Sequence, residues 1–342
     1  SVAEKEAEKT AMTWVGINSR KKIWSGMSGE LYMNACQEEN EDLELAKKEN
    51  EAAKKEEKLK GDSEKIKQRD IVISRNKTAS LKENIKKVNT LKKGLNRNYL
   101  LKNFYIADST TSIDNNVFNV KKLLSSDLRI KRNSNKPQIL IFHTHGGSEA
   151  FCDSKSGVTA QSIVGVGTTL TYNLKKYGYN VIHDTTKYDI INGRIDRNRA
   201  YNNAAEHVKR TLKKYPSIQV IIDLHRDGVG NKVHRTTVIN GKRTAQVMFF
   251  NGLSRNRNGN IGYLYNPNLQ YNLAFSLQLK LKCMENYNDF AKPVYLKGYR
   301  YNLHLRKRAL LIELGNENNT LQEAKNAMPY LACVIDKVLS GK

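Results

Sequence analysis

Three apolar runs in this sequence end in side chains able to hold a metal ion or move a proton. Ile139-Leu-Ile-Phe142 leads into His143-Thr-His145-Gly-Gly-Ser-Glu149, Val220-Ile-Ile-Asp-Leu224 into His225-Arg-Asp-Gly228, and Leu310-Leu-Ile312 into Glu313-Leu-Gly-Asn316. Catalytic zinc commonly takes three protein ligands from His, Asp and Glu and leaves a further position for water. His145, Glu149 and His225 supply that set. The step from His145 to Glu149 suits one turn or a compact loop, and Gly146-Gly147 lets the backbone fold tightly enough to aim both side chains inward. An HxxxE pair alone is a weak signal, and the LHRDG stretch after a second strand strengthens it.

Glu313 is the carboxylate expected to act in catalysis. Water on zinc titrates near ~7, and a carboxylate beside it can accept the proton and hand it to a leaving amine. The competing reading is a salt-bridged strand end, close in sequence to Arg306, Lys307 and Arg308. His143 competes with His145 for the metal, but alternation along the strand favours a supporting or core role for it. Asp223 can orient a ligand from behind, and Arg226 can bind a substrate carboxylate or a developing oxyanion; a plain surface ion pair is the alternative for both. Ser148 lacks the GxSxG surroundings of a nucleophile elbow. Cys152 has no adjacent base, and no P-loop or dinucleotide fingerprint occurs.

These side chains need strands that end on one edge. Strands are expected at 138–143, 180–183, 218–224, 294–296 and 309–314, with helices at 159–177, 195–214, 269–287 and 321–339. A hairpin is expected from 236–239 and 245–250, joined through Asn240-Gly241. Strands alternating with helices predict an α/β fold, a mostly parallel twisted sheet with helices on both faces, preceded by a helical N-terminal arm. Such sheets place ligands beyond the carboxyl ends of their strands. The catalytic domain is expected over residues 103–342. Residues 1–102 read as a Lys/Glu-rich helical or partly disordered region, with Glu-before-Lys pairs such as Glu44 and Lys48.

Composition agrees with a polar arm attached to one core. Of 342 residues, 39% are hydrophobic, and mean hydropathy is −0.64. The net charge of +24 predicts attraction to a polyanion, whether nucleic acid, anionic lipid or wall polymer. A nucleic-acid role would rest on charge alone, without aromatic-rich basic motifs, so no nucleic-acid partner is expected. Cys36, Cys152, Cys283 and Cys333 form no CxxC pair, which argues against a cysteine zinc site. There is no apolar run of membrane-spanning length, and the chain starts at Ser1-Val-Ala without Met. If the chain was cut from a longer protein, a targeting or anchoring segment would lie upstream.

Thr144-His145 with Glu149, Asp223-Leu-His225-Arg-Asp-Gly228 and Ile312-Glu313-Leu-Gly315 resemble the stage II sporulation protein P family. Leu100 to Ser112 and Phe118-Asn-Val120 resemble it too, so the likeness covers roughly Tyr99 to Leu339. The resemblance implies a zinc-dependent N-acetylmuramoyl-L-alanine amidase, a hydrolase that cuts the amide between muramic acid and the stem peptide of peptidoglycan. It carries over His145, Glu149 and His225 as zinc ligands and Glu313 as the catalytic residue. It also implies cell wall degradation during endospore engulfment, with a lytic transglycosylase, stage II sporulation protein D, as partner. The chain would be membrane-anchored by a missing N-terminal helix and face the space between mother cell and forespore. Some members also cut peptide cross-links. Two departures are the second histidine, His143, and the Gly146-Gly147 pair. The alternative is a peptidoglycan-binding module with a structural zinc.

Overall fold

The computed structural model describes residues 81–113, 117–155, 157–230 and 233–342. The expectations for residues 1–80 lie outside these. In chain order the elements begin with α1 (Leu81–Gly94), α2 (Arg97–Asn103), β1 (Tyr105–Ala107), α3 (Val120–Ser125) and β2 (Ile139–Phe142). Next come α4 (Ile163–Lys176), β3 (Val181–His183), β4 (Ile190–Ile191), β5 (Arg194–Ile195), α5 (Arg197–Lys214) and β6 (Val220–Asp227). The second half holds β7 (Thr236–Ile239), β8 (Lys242–Ala245), β9 (Val247–Gly252), β10 (Arg255–Asn256), β11 (Gly259–Asn260), α6 (Leu269–Asn286), β12 (Val294–Lys297), β13 (Arg308–Asn316) and α7 (Leu321–Ser340).

A seven-stranded sheet runs in the order β1-β12-β9-β13-β6-β2-β3. Every neighbouring pair is parallel except β9 with β13. The α/β class with a mostly parallel sheet is therefore what the chain adopts. Its central strands are buried on both faces, as parallel strands between helical layers must be, and their sequences are correspondingly apolar. Alternation sorts their side chains. Ile139, Ile141, Val220, Ile222, Leu224, Leu310 and Ile312 join the main core with residues of α4, α6 and α7. Ile221, Asp223, His225, Leu311 and Glu313 take the other face, where α5 lies and sets its Tyr201 ring against His145 and His225.

The structure differs from the sequence reading at several places. The hairpin is β7 with β8, in the register Ile239↔Lys242, because Asn240 and Gly241 both take positive φ, 50° and 76°, as a two-residue turn between twisted strands requires. Residues 247–252 leave the hairpin and enter the main sheet antiparallel to β13. β6 also runs past its expected end to Asp227, so His225 sits within a strand, and β13 continues beyond 314 to Asn316. Further upstream, α1 and α2 bury Val88 and Leu100 in the same core as the sheet.

Candidate active site

The site forms where β2, β6 and β13, three adjacent parallel strands, reach their carboxyl ends. After Phe142 the chain makes one helical turn, with the Glu149 N–H donating to the His145 carbonyl at 3.2 Å. Residues four apart on such a turn share a face, so His145 and Glu149 point the same way. Both are buried, as is His225. His225 Nδ1 lies 3.2 Å from Glu149 Oε1, and the His145 and His225 ring centroids are 5.2 Å apart. Glu149 Oε2 accepts the Arg226 backbone N–H at 2.8 Å. Glu313 and His225 are register partners across β13 and β6, which places both side chains on one face as near neighbours.

Asp223 sits behind His225. It accepts the Thr144 N–H at 2.9 Å and the Thr144 hydroxyl at 2.6 Å, tying the exit of β2 to β6. Its Oδ1 is also 2.9 Å from His225 Nε2, off the angle of a hydrogen bond. Burial pulls the His225 imidazole down, but the Asp223 and Glu149 carboxylates outweigh burial and raise it well above its usual range. Burial followed by the Arg197 charge holds His145 well below it. Glu149 is pushed up by burial, but His225 and two arginines outweigh this and leave it lowered. The two carboxylates thus favour positive charge at His225.

A divalent cation would satisfy the same demand. Zinc ligands at ~2.0–2.1 Å in a tetrahedron stand roughly 3.3 Å apart, close to the 3.2 Å between His225 Nδ1 and Glu149 Oε1. Buried His145 Nδ1 has no hydrogen-bond partner among the described residues. The donors therefore fit zinc in kind. Among the described residues, no group of three His, Cys, Asp or Glu side chains is gathered in metal-holding geometry.

His143 lies on the far side of the sheet from His225, against His183. Its Nδ1 is 2.8 Å from the Leu224 carbonyl and its Nε2 2.9 Å from His183 Nε2. Burial, with the neighbouring His183, pushes it down to about 3, so it is a neutral residue bracing β2 against β6. Arg226 turns its guanidinium toward the Asp227 carbonyl at 2.9 Å and Glu317 at 3.9 Å; its contact with Glu149 is through the backbone.

The sequence reading missed the groups that hold the His145 to Glu149 turn. Asp189, fully buried, accepts the N–H groups of Gly147 and Ser148 at 2.8 and 2.9 Å. This approach is why residue 147 is glycine: a Cβ there would lie 2.6 Å from Asp189 Oδ1 and 2.3 Å from Ile190 Cγ1. Arg197 donates to Ser148 Oγ at 2.9 Å and lies 3.6 Å from Glu149 Oε1. Tyr201, one turn later on α5, places its ring 5.3 Å from that of His145. Helical spacing links Arg197 with Tyr201, but nothing local marks Asp189.

A family model described as Stage II sporulation protein P matches residues 16–336 of the chain. The Stage II sporulation protein P of Bacillus subtilis (strain 168) is 26% identical over 218 residues, covering 59% of this chain and 51% of that protein. The chain thus spans about half the length of the curated relative it matches. Among solved structures it is similar to an N-acetylmuramoyl-L-alanine amidase from Clostridium difficile 630, at 13% identity and TM-score 0.36 over 60% of this chain and 95% of that one. The CwlD amidase from Clostridioides difficile, solved in complex with the GerS lipoprotein, gives 14% and 0.36 over 60% and 100%. Ami1 from Mycobacterium smegmatis gives 12% and 0.37 over 62% and 98%.

Proposed function

The chain belongs to the Stage II sporulation protein P family, and on that basis we propose that it is a zinc-dependent N-acetylmuramoyl-L-alanine amidase that degrades peptidoglycan during endospore engulfment. The observation that carries this reading is Glu313 in register with His225, beside the turn that carries His145 and Glu149. His145, Glu149 and His225 would hold the metal, which when bound supplies a Lewis acid and a water acidic near neutral pH. Glu313 takes the proton from the attacking water and returns it to the nitrogen of the departing L-alanine. Asp223 sets a negative charge 2.9 Å behind His225, and Asp189 fixes the turn between the other two ligands. A net charge of +24 suits work against an anionic wall.

The site would work outside the cytoplasmic membrane, where its polymer substrate lies. Among the described residues no helix is long and apolar enough to cross a membrane. A tether to the membrane and pairing with a lytic transglycosylase of the stage II sporulation protein D type follow from the family resemblance. Cross-link cleavage, if catalysed, would use the same residues.

The test is to incubate the protein with purified peptidoglycan, with and without chelator and added zinc, and to identify the fragments by mass spectrometry. Free stem peptides that appear only with zinc, and vanish in Glu313→Gln, are the expected result. Peptide-peptide products would reveal the endopeptidase cut. Zinc retained with no release of either fragment, and wall binding unchanged in Glu313→Gln, would replace the enzyme with a binding module.

A further inference from the structure

A series of tyrosines leads away from the paired histidines. Tyr201 stacks on His225, with ring centroids 6.3 Å apart and planes at 16°. Tyr301 meets Tyr201 edge to face at 5.4 Å, Phe250 at 4.9 Å and Tyr299 at 6.4 Å. Arg300, between the last two tyrosines, reaches from Nη1 to the carbonyls of Tyr263 and Tyr265 at 3.4 and 3.5 Å. That contact holds the turn at Gly262–Leu264 beside the Tyr299–Tyr301 loop. Tyr201 and Tyr301 are half-buried, whereas Tyr263 and Tyr265 are 52% and 71% exposed. Exposure therefore rises from the two rings beside the histidines to the outer turn, whose backbone Arg300 ties to their loop.

The backbone is bent to keep Tyr301 in this series. Tyr301 and Asn302 both take left-handed φ, 47° and 57°. That conformation is unfavourable for a bulky L-residue, and it persists where the surroundings enforce it. Here the enforcement is visible. Asn302 Nδ2 donates to the Tyr201 carbonyl at 2.9 Å, and the Tyr299 carbonyl comes so near Gly252 that a Cβ there would be 2.0 Å away. The strained loop is thus clamped to α5 on one side and β9 on the other, with its aromatic ring against the site.

The chemistry of this surface selects among ligands. A tyrosine offers a flat face of negative potential and a hydroxyl at its rim. A pyranose offers a face of C–H bonds and a rim of hydroxyls, so successive sugars complement successive rings. A lipid would call for exposed aliphatic side chains, whereas the exposed large apolar residues of this outer turn are Tyr263 and Tyr265. We infer that Tyr201, Tyr301, Tyr263 and Tyr265 form a carbohydrate-binding track that seats the glycan strand beside the scissile bond. The identity of the sugar polymer rests on the amidase reading; the location of the track rests on the ring contacts of Tyr201 and Tyr301 and on the Arg300 contacts to the outer turn.

The experiment measures binding of the full chain, carrying Glu313→Gln to prevent turnover, to glycan strands stripped of their peptides. Tyr265→Ala with Tyr263→Ala is expected to weaken binding about tenfold, the scale of one or two aromatic contacts. Tyr265→Trp should restore it, since a larger ring serves the same face. Tyr172→Ala, at a tyrosine 59% exposed on α4, should leave binding unchanged. Equal binding with and without Tyr263 and Tyr265 would overturn the track, as would an equal loss in Tyr172→Ala. The two proposals fail separately. Peptide release by the wild-type chain with glycan binding indifferent to Tyr263 and Tyr265 removes the track and keeps the amidase; tyrosine-dependent glycan binding without peptide release under any zinc condition does the reverse.

Discussion

Replacing Asp189 tests how the turn that carries His145 and Glu149 is held. In Asp189→Ala the N–H groups of Gly147 and Ser148 lose acceptors at 2.8 and 2.9 Å, in a place that the aspartate fills with no exposure to solvent. A donor left unmet costs about 1–3 kcal/mol when fully buried and less for these two, which are partly buried. Removing a buried carboxylate also returns part of its desolvation cost, so the net loss should be about 1–3 kcal/mol. Against a total stability of about 5–15 kcal/mol that is a large fraction. Asp189→Asn should fall between wild type and alanine, because one oxygen still accepts while the new amide faces the other N–H. Urea unfolding measures the loss as a shift in midpoint at unchanged slope. Chelator competition should show zinc affinity down by about 10–100-fold, the usual scale for groups that orient metal ligands. An Asp189→Ala chain that unfolds at the wild-type midpoint and holds zinc as tightly would refute the argument, since it would mean those N–H groups find other acceptors.

Gly147→Ala should destabilise by about 1–3 kcal/mol through overpacking, with part of the loss recovered in the double variant with Ile190→Ala, as read by thermal or urea melts. Thr320→Ala removes the side chain that accepts the Glu323 N–H at 3.1 Å at the start of α7, and should cost about 1 kcal/mol in the same assays. Burial raises the Glu323 carboxyl, but hydrogen bonds from His234, Asn319, the Thr320 backbone and Arg243 outweigh it and leave it lowered from its ordinary 4.5. A depressed folded-state value means stabilisation fully present above pH 4.5 and lost as pH falls through the lowered value. Glu323→Gln should therefore be less stable at neutral pH and show a shallower acid limb than wild type; parallel limbs in acid denaturation would contradict the sign.

Much of this architecture was legible from periodicity. Buried runs such as Ile139–Phe142 and Val220–Leu224 read as strands because a parallel sheet covered on both faces needs apolar side chains on both. The amphipathic stretch of α7 read as a helix for the corresponding reason. The convergence of His145, Glu149, His225 and Glu313 was legible too, since parallel strands deliver the residues at their carboxyl ends to a common edge. Boundaries were less so: Asn240-Gly241 identifies a hairpin turn, but only the register Ile239↔Lys242 shows that its second strand ends at Ala245 and frees β9 for the sheet.

The class of fold and the chemical kinds of group at its carboxyl edge can be read from the chain alone, because both rest on local periods and residue types. Which of those groups meet is a matter of how the layers dock. Alternation separates His143 from Phe142 but cannot say which face carries the site; the packing of α4 and His183 against one face and α5 against the other does that. Asp189 reaches Gly147 across 42 residues and Tyr301 reaches Tyr201 across a longer stretch still, with no periodic pattern joining either pair. Contacts of that kind become visible only once the sheet and its helices are assembled, since no local preference of either partner encodes the distance between them.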